Sequence, residues 1–235
     1  MGLMKGVLAL AGVMLLILAI APWFEKNLPP GWNPFTPLEV TDPPTFITRY
    51  KIKRLSGNVA GCLAALQKAQ QQGYIRFSQP PPSSGNCPLP APVRVQSFGD
   101  VRLSSSFLAS CSLALSTTMF VTQTAKPLAA AELGSPLARI DHLGSYACRN
   151  IYHRAEGRLS EHATADALDI AGFRLANGKS INVLKVWPRQ EKESHWLHQV
   201  FQQSCQFYGN SIGPDYNAAH ANHFHLGMRG FGVCR

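Results

Sequence analysis

The stretch SEHATADALDIAGFRLANGKSINVLKVW, residues 160–187, decides how this chain is read. Residues 167–175 alternate imperfectly between apolar and polar side chains. Asn177-Gly178 then supplies a hairpin signal, and residues 180–187 return as a partner strand. His162 stands on the approach to the first strand and Asp169 stands on it. An imidazole and a carboxylate are thereby carried toward one end of a sheet.

A second stretch, DYNAAHANHFHL at residues 215–226, offers what the first lacks. If residues 222–228 form a strand, side chains two apart share a face. His223 and His225 then project together while Phe224 turns to the core, and His220 is one short loop away. Three imidazoles gathered at one spot are hard to protonate together, so such a cluster serves a metal or a proton transfer. A catalytic zinc takes three protein ligands and keeps the fourth tetrahedral position for water, whereas structural sites fill all four, most often with cysteine. The residues assigned to the metal are His162, Asp169 and His225, with one Zn2+ per domain.

Around these stretches the pattern predicts an α+β domain, a small antiparallel sheet flanked by helices. Asn58 is placed to cap a helix over 59–72. Residues 93–98 and 138–146 read as strands. Ser106 is expected to open a helix over 107–124, a short helix follows over 128–133, and residues 191–208 form an amphipathic helix. No internal repeat is visible.

The N-terminus is of another kind. Residues 6–24 form a near-continuous apolar run without a charge, long enough as a helix to cross most of a hydrocarbon layer of about 30 Å. Lys5 and the amino terminus favour keeping that end in the cytoplasm. A cleaved signal peptide competes with this reading, since an Ala19-x-Ala21 site is present, but Pro22 would follow the cut and Trp23 suits a membrane interface. Residues 1–24 are therefore read as an uncleaved transmembrane anchor. Residues 25–45, with prolines at 29, 30, 34, 37, 43 and 44, are read as a semi-rigid spacer, and 46–235 as the domain.

Cysteines stand at 62, 87, 111, 148, 205 and 234, with no C-x-x-C pair. Behind an export segment, Cys62, Cys87, Cys111, Cys148, Cys205 and Cys234 read as three disulfides in an oxidising compartment. The sequence leaves the connectivity open, and Cys205–Cys234 is the favoured pair because it would staple the C-terminal end to the preceding helix. The formal charge of +9 points to an acidic partner surface, anionic lipid or cell wall. No nucleic-acid signature or dense Lys/Arg block accompanies it.

The pattern S-x-H-x-x-A-x-A-x-x-D at residues 160, 162, 165, 167 and 169, followed downstream by H-x-H, resembles the zinc peptidases grouped with lysostaphin and the D-alanyl-D-alanine metallopeptidases. The spelling H-x-x-H-x-H at His220, His223 and His225 is similar to penicillin-insensitive murein endopeptidase. More specifically, residues from about 62 to 235 resemble the bacterial extensin-like C-terminal domain. The matching pieces are Gly144-Ser-Tyr-Ala-Cys148-Arg149, Ser160-Glu-His162-Ala, Ala167-Leu-Asp169-Ile, Gly213-Pro-Asp-Tyr-Asn217, the histidine triplet and Cys234-Arg235.

The resemblance implies the same three zinc ligands. It gives His223 the role of orienting water and stabilising the transition state, with His220 beside it. The carboxypeptidase branch uses a glutamate base shortly before its last zinc histidine; residues 215–223 contain none, so the base role passes to His223 and Asp215 is left as a supporting partner. Ala165, where many relatives have glycine, is a small departure expected only to tighten the backbone slightly. Ser160 is expected to hydrogen-bond the loop that aims His162. Arg149 is expected to grip a carboxylate of the stem peptide.

His142, His153, His195 and His198 read as structural or surface groups, and Glu161 and Asp166 as solvated. The expected function is a membrane-anchored periplasmic zinc peptidase cutting peptidoglycan cross-links or stem peptides, an endopeptidase rather than a carboxypeptidase. The alternative is a catalytically silent zinc module that binds peptidoglycan or an envelope partner. Expected partners are peptidoglycan, the bacterial inner membrane and an envelope-spanning machine, with nucleic acid excluded by export.

Overall fold

In a computed structural model, which describes residues 2–230 and 232–235, residues Ala167–Leu175 (β5) form a strand at the centre of an eight-stranded sheet. Six of the nine β5 residues are buried, on both faces, and only Arg174 is exposed, which is why the alternation is imperfect. The other strands are β1 (Arg76–Ser78), β2 (Val93–Phe98), β3 (Val101–Ala109), β4 (Leu137–Gly144), β6 (Ser180–Asn182), β7 (Asn210–Ile212) and β8 (Phe224–Gly227). Their order is β1-β2-β3-β4-β5-β8-β7, with β6 also paired to β5. Each pairing is antiparallel except the short parallel β3–β4 contact. β8 and β6 share one edge of β5, β8 at residues 167–170 and β6 at 172–174.

The helices are α1 (Gly2–Asn27), α2 (Phe46–Ser56), α3 (Val59–Gln71), α4 (Cys111–Phe120), α5 (Lys126–Leu133), α6 (Val183–Val186) and α7 (Lys192–Ser204). The mixed α/β class agrees with the sequence reading, although the sheet is larger than expected. Asn58 does cap α3, accepting from the Gly61 amide at 3.0 Å. Every residue of α4 is buried, so this helix has no polar face to show in a periodicity.

Three local expectations are corrected. The helix expected from Ser106 does not begin there: residues 101–109 are β3, paired to β2 from Val93↔Ala109 to Phe98↔Val101. The cap is Ser110, whose hydroxyl accepts from Leu113 N at 3.2 Å. Several serines offer the same capping chemistry, and the ladder with β2 claims the backbone ahead of Ser110. The return strand expected over 180–187 stops at Asn182, whose side chain caps α6. The proline-rich stretch does not extend as a spacer. Gly31, with φ +81°, turns the chain, Thr45 and Thr48 hydroxyls bond back to Gly31 O, and Leu38 and Val40 are buried in the core.

Three disulfides brace this arrangement: Cys62–Cys111 joins α3 to the start of α4, Cys87–Cys148 joins two loops, and Cys205–Cys234 pins the C-terminal end to α7. Helix α1 is exposed throughout most of its length, and its stretch Met4–Asn27 is long and apolar enough to cross a membrane, a property it shares with signal sequences.

Candidate metal centre

The turn that carries His162 is built by local chemistry. Ser160 caps a short 3-10 turn, Glu161–Thr164, its hydroxyl accepting from His162 N at 3.3 Å. Ala165 closes the turn in the left-handed region, φ 54° and ψ 34°, and the chain enters β5. Ala165 is thus more than a slight tightening of the backbone: it occupies a conformation that glycine adopts without a Cβ penalty. On the sheet, Asp169 of β5 stands directly opposite His225 of β8 in the antiparallel register.

His162 Nε2 lies 3.2 Å from Asp169 Oδ2 and 3.2 Å from His225 Nδ1, and His225 Nδ1 lies 2.9 Å from Asp169 Oδ1. A tetrahedral zinc with ligands at about 2.0–2.1 Å has ligand–ligand edges of about 3.3 Å. The two imidazole nitrogens stand at about that separation, and each is at about that separation from one of the two Asp169 oxygens. The remaining imidazole nitrogens are occupied by acceptors: His162 Nδ1 donates to Ser145 O at 3.1 Å and His225 Nε2 donates to Glu161 Oε2 at 3.2 Å. Both tautomers therefore aim a lone pair at the shared point, the arrangement in which an outer acceptor orients a metal-bound histidine.

The electrostatics test the fit of a cation. Burial raises the cost of ionising Asp169, yet hydrogen bonds to His162 and His225 more than offset it and hold the carboxyl well below the usual range. Glu161 is buried too, and despite that burial its pKa is lowered by hydrogen bonds from His225, Arg229 N and the Asn210 amide. For His225, burial disfavours the imidazolium, but Asp169 and Glu161 outweigh burial and raise its pKa to about 9. A neutral His225 would set a lone pair 2.9 Å from a carboxylate oxygen. That contact requires a positive charge, either a proton or a metal ion. Two buried carboxylates with neutral imidazoles match the charge of one divalent cation, and the N,N,O donor set suits zinc.

The triangle opens into a cleft of about 680 Å³. His223 Nε2 is 3.7 Å from Asp169 Oδ1, and its Nδ1 donates to Asn222 at 2.7 Å. His220 Nδ1 donates to Asn217 at 2.8 Å, and its ring centroid is 5.2 Å from that of His223. Burial, then the neighbouring histidines His223 and His225, lowers the His220 pKa to about 4; burial also lowers that of His223. Both rings are thus neutral at pH 7. Arg149 lines the cleft, and its charge disfavours a proton on His223.

Two sequence expectations are corrected here. Asp215 is exposed and accepts from the Trp187 indole at 2.9 Å instead of supporting the histidines. Glu161, read as solvated, is buried against His225. Gly227 makes room for it, since a Cβ there would lie 2.5 Å from Glu161 Oε2. That glycine, two residues after His225, was the available signal. His195 bonds to Gln199 and His198 stacks on Trp187, with ring centroids 3.7 Å apart, so neither joins the site.

The family model for the extensin-like protein C-terminus matches residues 60–235. The chain belongs to that family. No curated protein and no solved structure matches it. The matched region of the extensin-like chain contains β1 to β8, all six cysteines and the whole histidine–carboxylate cluster. It begins after α1 and α2, which lie outside the matched residues.

Proposed function

We propose that this extensin-like protein is a membrane-anchored zinc peptidase that acts in the periplasm on peptide cross-links or stem peptides of peptidoglycan. The observation that carries the reading is the convergence of His162 Nε2, His225 Nδ1 and the Asp169 carboxylate, with each imidazole's other nitrogen held by an acceptor. The sequence resemblance to the lysostaphin and D-alanyl-D-alanine metallopeptidase group supports the same residues.

A zinc ion held there would supply a Lewis acid and lower the pKa of a bound water toward about 7. His223, neutral and facing the cleft, is placed to take a proton from water and return it to a leaving amine. His220 keeps that side of the cleft free of competing positive charge. Arg149 offers a fixed cation for a carboxylate of the substrate, since no acidic side chain among the described residues pairs with it. The disulfides and the apolar α1 support placing the domain outside the cytoplasm.

The experiment is digestion of isolated sacculi by the full chain purified in detergent, with mass spectrometry of released fragments and metal analysis of the protein. The reading expects about one zinc per chain, new peptide ends in the sacculi and loss of release on chelation. Zinc without cleavage would leave the silent binding module; absence of zinc would remove both.

A further inference from the structure

The chain immediately after α1 is folded back on itself, and this places an unusual surface at the end of the apolar helix. Asn33 Nδ2 donates to Glu25 O at 2.6 Å, tying the following loop to the last turns of α1. Gly31 O accepts from the Thr45 and Thr48 hydroxyls, and Thr48 also bonds to Pro43 O at 2.6 Å. The first turn of α2 is therefore held against residue 31. Trp32 lies five residues beyond Asn27, a reach of at most about 18 Å even for an extended chain.

The outward face of α2 is distinctive. Phe46, Arg49, Tyr50, Lys53 and Arg54 fall at the i, i+3, i+4, i+7 and i+8 positions of one helical stripe. The opposite positions, Thr48, Lys51 and Ile52, are buried. Phe46 is 59% exposed, Tyr50 55%, and the neighbouring Trp32 and Phe35 48% and 60%. Trp32 packs edge-on against Phe46 with centroids 5.4 Å apart, so helix and loop present one aromatic surface. Helix α2 contains no acidic residue, and Arg49, Lys53 and Arg54 have no carboxylate partner among the described residues.

We propose that this aromatic and basic stripe lies on the bilayer that α1 crosses, its rings at headgroup level and Arg49, Lys53 and Arg54 on anionic phospholipid headgroups. The inference rests on α1 being a retained span. Trp32 and Tyr50, with an apolar body and a polar tip, favour the membrane interface, and Phe35 and Phe46 add apolar surface for the acyl boundary. Unpaired basic side chains beside them match anionic lipid. A single span leaves a domain free to swivel and tilt. A second contact made by α2 would limit that freedom and hold the domain in one orientation close to the membrane. The proline-rich segment then acts as a clasp rather than a boom.

The test places a benzophenone amino acid at Phe46 of the full chain, or at exposed Leu184 of α6 as a control, in nanodiscs with and without phosphatidylglycerol. The expected result is lipid photocrosslinking from position 46 well above position 184. Its yield should fall at least about fivefold when phosphatidylglycerol is omitted, the factor for one basic side chain at an anionic surface. The combined Arg49→Glu, Lys53→Glu and Arg54→Glu variant should show the same fall in phosphatidylglycerol discs. The lipid-composition arm needs no charge variant, so it stands even if that variant fails to fold. A chain that remains in the disc but crosslinks equally from both positions, or ignores lipid charge, overturns the proposal. A chain that separates from the disc shows instead that α1 is no anchor, and overturns both readings.

Discussion

Asp169 and His225 face each other across neighbouring antiparallel strands, and Asp169 Oδ1 lies 2.9 Å from His225 Nδ1. Cross-strand partners have Cβ atoms only about 4.5–5.5 Å apart, so the sheet itself supplies two corners of the triangle. The third, His162, arrives on a capped turn just ahead of the same strand. Glu161, on that turn, secures His225 from behind. The rigidity of the site thus comes from the centre of the sheet, and its cleft side from loops.

If His223 handles the proton, replacing it should separate binding from turnover. His223→Gln is expected to retain about one zinc per chain while release of sacculus fragments falls by about 10²–10⁴-fold, the usual weight of general acid–base catalysis. Metal analysis and fragment release on the same preparation decide it. Retained activity at the wild-type level would remove His223 from the chemistry.

Glu161→Gln keeps the shape of the side chain but removes its charge behind His225. Loss of such an outer partner typically costs 10–100-fold in metal affinity. Competition with a zinc chelator should show a fall of that order, with near-native circular dichroism. An unchanged affinity would return Glu161 to a merely structural role.

Gly227→Ala tests the same contact from the other side. The new Cβ would meet the Glu161 carboxylate at 2.5–2.7 Å, so one of the two must move. Overpacking of this kind costs about 1–3 kcal/mol in stability. Zinc affinity should fall with it. Adding Glu161→Ala to Gly227→Ala should cost less than the sum of the two single changes, because the clash is gone. Strict additivity in denaturant melts would contradict the contact.

The metal-free protein should become less stable above neutral pH. His225 has its pKa raised from 6.5 to about 9, so the folded chain holds that proton more tightly than the unfolded chain does. Its contribution is fully present below pH 6.5 and is lost as the pH rises through about 9. Zinc binding must displace the same proton, so calorimetry in buffers of different ionisation enthalpy should register proton release near pH 7. Denaturation midpoints of the metal-free chain that stay level from pH 6 to 9 would sink this assignment.

Ala165→Gly should raise stability by about 0.5–1 kcal/mol, since relief of a left-handed alanine outweighs the added freedom of the unfolded chain. The denaturation midpoint in the zinc-loaded protein measures it. A loss of stability would mean that the buried Ala165 methyl contributes more through packing than its backbone loses through strain.

The amino-acid sequence by itself determined the elements whose signals are local. The strand over 167–175, the Asn177-Gly178 turn, the Asn58 cap and the apolar N-terminal helix follow from side-chain periodicity, turn chemistry and capping, which act over a few residues. The residue types of His162, Asp169 and His225 also marked them as a group, because two imidazoles and a carboxylate leave a tetrahedral metal one open position. The two-residue period expected to pair His223 with His225 does not apply, since β8 begins at Phe224. Tertiary structure decided the rest. Residues 101–109 are a strand because β2 pairs with them, Glu161 is buried because Gly227 leaves space opposite, and Asp215 turns to Trp187 instead. The proline-rich segment closes on Gly31 because Thr45 and Thr48 reach it. Each of these depends on a partner distant along the chain, and no local pattern specifies which distant group will fill a given space or accept a given hydrogen bond.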